Sequence, residues 1–150
     1  MRPASARACC GHLTASALGS HPDANQKGPD VTEPAHVIAF DAAKIAPRIT
    51  ETSDPAIVDA PYRAQSWRHF EAADRAALAG IWEAEPHLER CQCDYDELCH
   101  ILEGTVRLTD KAGRSRVFAA GETFVVSAGF EGTWENLTPV RKVFFILGKP

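Results

Sequence analysis

The chain is short of the features that mark the commoner classes of function. No apolar run approaches the about 20 residues that span a bilayer; the longest lies around Val143-Phe-Phe-Ile-Leu147. Positive charge is not in excess. The formal net charge is −4, which argues against nucleic acid or an anionic membrane as partner. There is no Walker loop, dinucleotide fingerprint, nucleophile elbow or zinc-finger spacing. Cysteine is sparse and odd in number, five in all; that does not build a disulfide framework and points to a reducing, cytoplasmic setting. Arg2 and Arg7 stand near the start, but no apolar segment follows them, so no signal peptide is expected. Helical periodicity is almost missing, and only residues 71–78 would accommodate a short helix.

What is present is enough for one core. A chain of 150 residues with three Trp and seven Phe can close a single domain. Residues 1–34 are rich in Ala, Ser, Gly and Pro and have no period. They are expected to form a disordered leader, with Cys9-Cys10 incidental to it. The domain itself is expected over 35–150. An apolar piece at 36–40 reads as a strand, 41–46 as one helical turn, and 47–61 as irregular, broken by Asp54-Pro55 and Ala60-Pro61. Strand patterns then follow closely at 65–70, 78–83, 88–93, 98–102, 105–109, 116–118, 123–126, 133–136 and 141–147. Turn chemistry separates them, as in Asp110-Lys-Ala-Gly113 and Ala120-Gly121-Glu122. Many short strands at close spacing predict an all-β sandwich or barrel. Leu98-Cys-His-Ile-Leu102 and Val143-Phe-Phe-Ile-Leu147 are apolar on both faces and need cover on both. Either the 36–70 segment or a second subunit supplies it, and a homodimer is expected.

Two stretches fit together as one pattern. The first is Cys91-Gln-Cys93-Asp-Tyr-Asp-Glu97, followed by Gly104; the second is Gly121, Ser127-Ala-Gly129, Gly132 and Asn136. Cys91 and Cys93 are two apart and point the same way on a strand. They read either as small core hydrophobes or, with Glu97, as thiolate ligands suited to zinc or copper(I).

The phrases Gly80-Ile-Trp-Glu83, Asp96-Glu-Leu-Cys-His-Ile-Leu-Glu-Gly104, Gly121-Glu-Thr-Phe-Val-Val126 and Ala128-Gly-Phe-Glu-Gly-Thr-Trp-Glu135 resemble the cupin superfamily. Within it they resemble the small single-domain branch that includes the ethanolamine-utilisation cupin and is related to ureidoglycine aminohydrolase. The resemblance implies a cupin-type double-stranded β-helix, a jelly-roll barrel with little helix. It also implies a place for a metal on the inner wall, held by His-x-His, a Glu and a later His. Here those places hold Cys91, Cys93, Glu97 and Gly132. The reading favoured is therefore a cupin that binds a small molecule without the usual His metal site, its ligand meeting Trp82, Tyr95, Cys99, Trp134 and Asn136. Glu97 is the expected catalytic residue, an inward carboxylate suited to acid or base work unless a basic wall residue pairs with it. The alternative is a zinc-type enzyme using Cys91, Cys93 and Glu97; no cofactor is the favoured expectation. His100 is expected on the face opposite Cys99, and Arg141 and Lys142 are expected in solvent.

Overall fold

The computed structural model describes residues 34–148. The expected leader lies outside them except for Pro34, and so do Cys9 and Cys10. Ten strands follow in chain order: β1 (Arg48–Thr52), β2 (Tyr62–Ala72), β3 (Ala77–Ala84), β4 (His87–Gln92), β5 (Asp96–Glu103), β6 (Thr105–Asp110), β7 (Ser115–Ala119), β8 (Thr123–Val126), β9 (Glu131–Asn136) and β10 (Val140–Leu147). They form a six-stranded sheet in the order β1-β2-β3-β10-β5-β8 and a four-stranded sheet in the order β4-β9-β6-β7. All named pairs are antiparallel. The inner faces of the two sheets close on one core, giving the all-β sandwich that close-spaced strands imply and the jelly-roll architecture that the resemblance implies.

Alternation decides which side chains reach that core. Along β5, Glu97, Cys99 and Ile101 are buried while Leu98 and Leu102 are exposed and His100 is half-buried. His100 thus stands opposite Cys99, bonded through Nδ1 to Thr123 Oγ1 at 2.8 Å. Along β10, Val140, Lys142, Phe144 and Ile146 point inward. Gly104, between β5 and β6, has φ +85°, and a Cβ there would stand 2.0 Å from the Pro139 carbonyl oxygen. Only glycine allows the chain to reverse so close to a neighbouring backbone.

Four local expectations are corrected. Residues 36–40 form no strand; Phe40 instead stacks on His69 with 4.6 Å between ring centres. Residues 47–61 are not irregular throughout, because β1 lies among them and takes the sheet edge beside β2. An edge strand needs only backbone pairing on one side, so Arg48-Ile-Thr-Glu-Thr52 qualifies without an apolar face. The expected helix over 71–78 is one 3₁₀ turn, Ala73–Arg75, between β2 and β3. Within residues 36–70, β2 lies beside β3 in the sheet rather than across its outer face, and Leu98, Phe145 and Leu147 stay exposed there.

Candidate functional site inside the barrel

Four strands bring ionisable groups into the core. Lys142 on β10 sits in register with Trp82 on β3 and Ile101 on β5. Its inward parity leaves it with no exposure, and its Nζ donates to Glu97 Oε1 at 2.8 Å, Glu97 being equally buried. The ammonium lies 4.0 Å from the centre of the Trp134 ring and 5.2 Å from that of Trp82. Cys99 Sγ is 3.4 Å away. Buried charges survive only when paired and hydrogen-bonded, and the indole faces add cation–π attraction in a dry setting. The expectation that Lys142 is solvated is overturned, and of the two readings of Glu97 the ion pair is the one found.

A second carboxylate faces the same interior. Glu89 on β4 is opposite Trp134 on β9 and is 1% exposed. Its Oε2 accepts from the Tyr62 hydroxyl at 2.7 Å. Burial pushes its pKa up to about 8, against the pull of the Tyr62 hydrogen bond and of Lys142, with Glu97 adding a smaller upward push. At neutral pH Glu89 is therefore mostly a neutral acid, while Glu97 lies against a cation. His87, one inward step before Glu89, stacks on Tyr62 at 3.5 Å between centres and meets Trp82 edge-on at 6.0 Å. Its Nδ1 is 2.7 Å from the Glu85 carbonyl oxygen. A carbonyl only accepts, so Nδ1 carries the hydrogen. Burial lowers the His87 pKa, outweighing the Glu85 hydrogen bond, and leaves Nε2 an acceptor.

Among the described residues, four buried polar atoms in this group have no hydrogen-bond partner: Glu89 Oε1, Glu97 Oε2, Trp82 Nε1 and His87 Nε2. Such atoms are costly in a core and concentrate where something else is to be bound. At the seam between β6, β7 and β8 opens a separate cleft of about 320 Å³ lined by Leu108, Phe118, Phe124 and Phe130, with Arg114 and Arg116 among its residues. The Phe124 ring stands 6.0 Å from that of Trp134.

The expected residues divide. Trp82, Cys99, Trp134 and Glu97 meet around Lys142. Tyr95 is buried in the same core. Asn136 is not at a pocket mouth. Its Oδ1 accepts from Trp134 Nε1 at 2.9 Å and its amide donates to the carbonyls of Ala84 and Glu85, so it fixes the indole. The proposed ligand set of Cys91, Cys93 and Glu97 does not fit a metal. Among the described residues no group of three or more His, Cys, Asp or Glu is placed to hold one. Burial raises the pKa of Cys91 and of Cys99, with nearby carboxylates adding to it, so both are thiols rather than thiolates. Cys93 is disulfide-bonded, against the expectation of reduced cysteines, while Cys91 and Cys99 are free. Glu97 is committed to Lys142. At Gly132 a Cβ would lie 2.0 Å from the Thr109 carbonyl oxygen, so no ligating side chain fits the fourth place.

Glu89, His87 and Tyr62 were not singled out in the sequence, and Lys142 was read there only as a solvated charge. A signal existed for three of them. His87 and Glu89 share the parity of Cys91 on β4, and Lys142 shares that of Phe144 and Ile146 on β10. A charged residue at an inward position is the mark of a site or a buried pair.

A family model described as a EutQ-like cupin domain matches residues 71–144. Among solved structures, a protein of unknown function of the DUF861 family from Pseudomonas syringae is 26% identical with a TM-score of 0.59, the match covering 66% of this chain and 44% of that one. A putative ethanolamine utilization protein Q from Salmonella typhimurium is 15% identical with a TM-score of 0.53, over 71% of this chain and 98% of that one. The EutQ protein of Clostridium difficile is 16% identical with a TM-score of 0.52, over 57% and 63%. The chain therefore spans less than two thirds of the Pseudomonas and Clostridium proteins. No curated protein matches it.

Proposed function

We propose, for a chain that is a member of the cupin superfamily resembling the EutQ-like cupins, that its barrel binds a small molecule between the Glu89 and Glu97 carboxyls and the Trp82 and Trp134 rings. The observation that carries the reading is the set of four unpartnered polar atoms on Glu89, Glu97, Trp82 and His87, all buried in or beside one core. Fold membership alone does not supply a function. A buried apolar wall with a few converging polar groups is the usual make-up of a ligand site. The test is a thermal-shift and tryptophan-fluorescence survey of small polar metabolites. A binder raises the melting temperature and perturbs Trp82 and Trp134 emission, and the response is lost in Trp82→Ala. Absence of any hit sinks the reading.

Two further elements go with it. The outward row Phe145–Leu98–Val125, in register across β10, β5 and β8, is apolar and exposed, which supports burial against a second copy; sedimentation showing only monomer at micromolar concentration would defeat the homodimer. Among the described residues no helix is long and apolar enough to cross a membrane. A cytoplasmic location belongs to the same reading, and the state of Cys93 tests it. Thiol trapping in intact cells makes the test: a reducing compartment does not retain such a disulfide, so a Cys93 that stays blocked to alkylation counts against a cytoplasmic location.

A further inference from the structure

The donors and acceptors of the interior specify a class of ligand, given that the barrel binds a small molecule at all. Glu97 Oε2 and His87 Nε2 accept only, Trp82 Nε1–H donates only, and Glu89 Oε1 does either according to where its proton sits. A ligand must therefore donate at least two hydrogen bonds and accept at least one. A simple carboxylate or an ether donates nothing, which removes acetate-like anions. Formal charge narrows the class further. Lys142 is already matched by Glu97 at 2.8 Å with both fully buried, so the pair adds no net charge. A charged ligand would enter without a counter-ion, at a cost of several kcal/mol. Hydroxyl groups donate and accept and carry no charge. Trp82 and Trp134, whose rings already flank the Lys142 ammonium, give these polar groups apolar surroundings.

We propose that the barrel interior takes a small uncharged polyhydroxy compound, its hydroxyls donating to Glu97 Oε2 and His87 Nε2 and accepting from Trp82 Nε1–H. Glu89 completes the ring of contacts through Oε1. The groups facing Glu89 are Tyr62, Cys91, Glu97 and Lys142, and among them the one positive charge is held by Glu97. Glu89 therefore keeps its proton near pH 6.5 and an uncharged ligand does not displace it. A cationic amine would do the opposite: to enter beside Lys142 it would have to expel that proton.

Titration calorimetry of the intact protein at pH 6.5, run in two buffers of different ionisation enthalpy, separates these cases. The probes are glycerol, erythritol, xylose and glucose, with ethylammonium and acetate as charged counterparts. Expected is binding of at least one polyhydroxy probe with no net proton exchange, weakened about tenfold or more, the equivalent of one hydrogen bond of about 1.4 kcal/mol, in Trp82→Phe and in His87→Phe. Each variant removes one polar atom and keeps a ring, and thermal unfolding shows which of them retains the fold. Binding of ethylammonium with release of about one proton, or of acetate, overturns the class while leaving the small-molecule reading standing. Polyhydroxy binding unchanged in a folded variant places the compound elsewhere and also overturns it. Failure of all six probes overturns the proposal, and a silent metabolite survey alongside it removes the parent reading too.

Discussion

At the scale of single residues, the interior is governed by one ion pair and one neutral acid. Removing one partner of a fully buried pair leaves the other uncompensated, which typically costs about 3–5 kcal/mol. Lys142→Met should lower stability by that amount in urea unfolding. The double variant Lys142→Met with Glu97→Gln should recover most of it, because the isolated charge is gone. Glu89 makes stability depend on pH in a definite direction. Its pKa rises from an ordinary 4.5 to about 8 in the folded protein, so its contribution is fully present below pH 4.5. It is lost as pH rises towards 8, where the unfolded chain releases a proton that the native state retains. The slope is at most about 1.4 kcal/mol per pH unit. Unfolding measured at pH 5 and pH 8 should show the wild type losing stability relative to Glu89→Gln. An unchanged difference between the two would rule out a buried neutral Glu89.

At the scale of elements, parity along strands did most of the arranging. Alternation in 98–102 correctly separates Cys99 and Ile101 from His100, since a strand's period of two needs nothing from elsewhere. The same parity places Glu89 beside Cys91, so this part of the site was legible in principle. Two elements were not. The edge strand β1 has no apolar face to advertise it, and the apolar run at 36–40 formed no strand although its composition suits one, Phe40 stacking on His69 instead. The four-stranded sheet also fixes the fate of Gly132. In sequence it is a histidine place left empty, whereas in the fold it is where β9 approaches the backbone of Thr109 on β6 too closely for any side chain. Gly132→His should therefore not restore a metal centre. Expected is a loss of about 1–3 kcal/mol or more from overpacking, with no metal retained by elemental analysis. A stable, metal-loaded variant would contradict the close approach.

At the scale of the whole molecule, the six-stranded sheet leaves Leu98, Val125, Phe145 and Leu147 exposed on its outer face. Contiguous exposed apolar patches of this kind commonly mark association surfaces. If the homodimer forms through it, Leu98→Glu places like charges against each other across the two-fold. Sedimentation equilibrium should then show the dimer weakened by tenfold or more, on the order of 1–2 kcal/mol, with the melting of the monomer little changed.

The sequence by itself determined the fold class: strand spacing and turn residues are local properties that specify an all-β sandwich or barrel with one core, and the resemblance of its phrases to the cupins implied the jelly-roll. It also determined which positions could not ligate a metal by identity. Only the tertiary structure decided the chemistry of the interior. Whether Glu97 is a base or half of an ion pair depends on Lys142, 45 residues away in sequence and 2.8 Å away in space. Whether Glu89 is charged depends on burial by strands drawn from both sheets. Charge state and pairing are set by the distances between elements, and no local pattern encodes those distances.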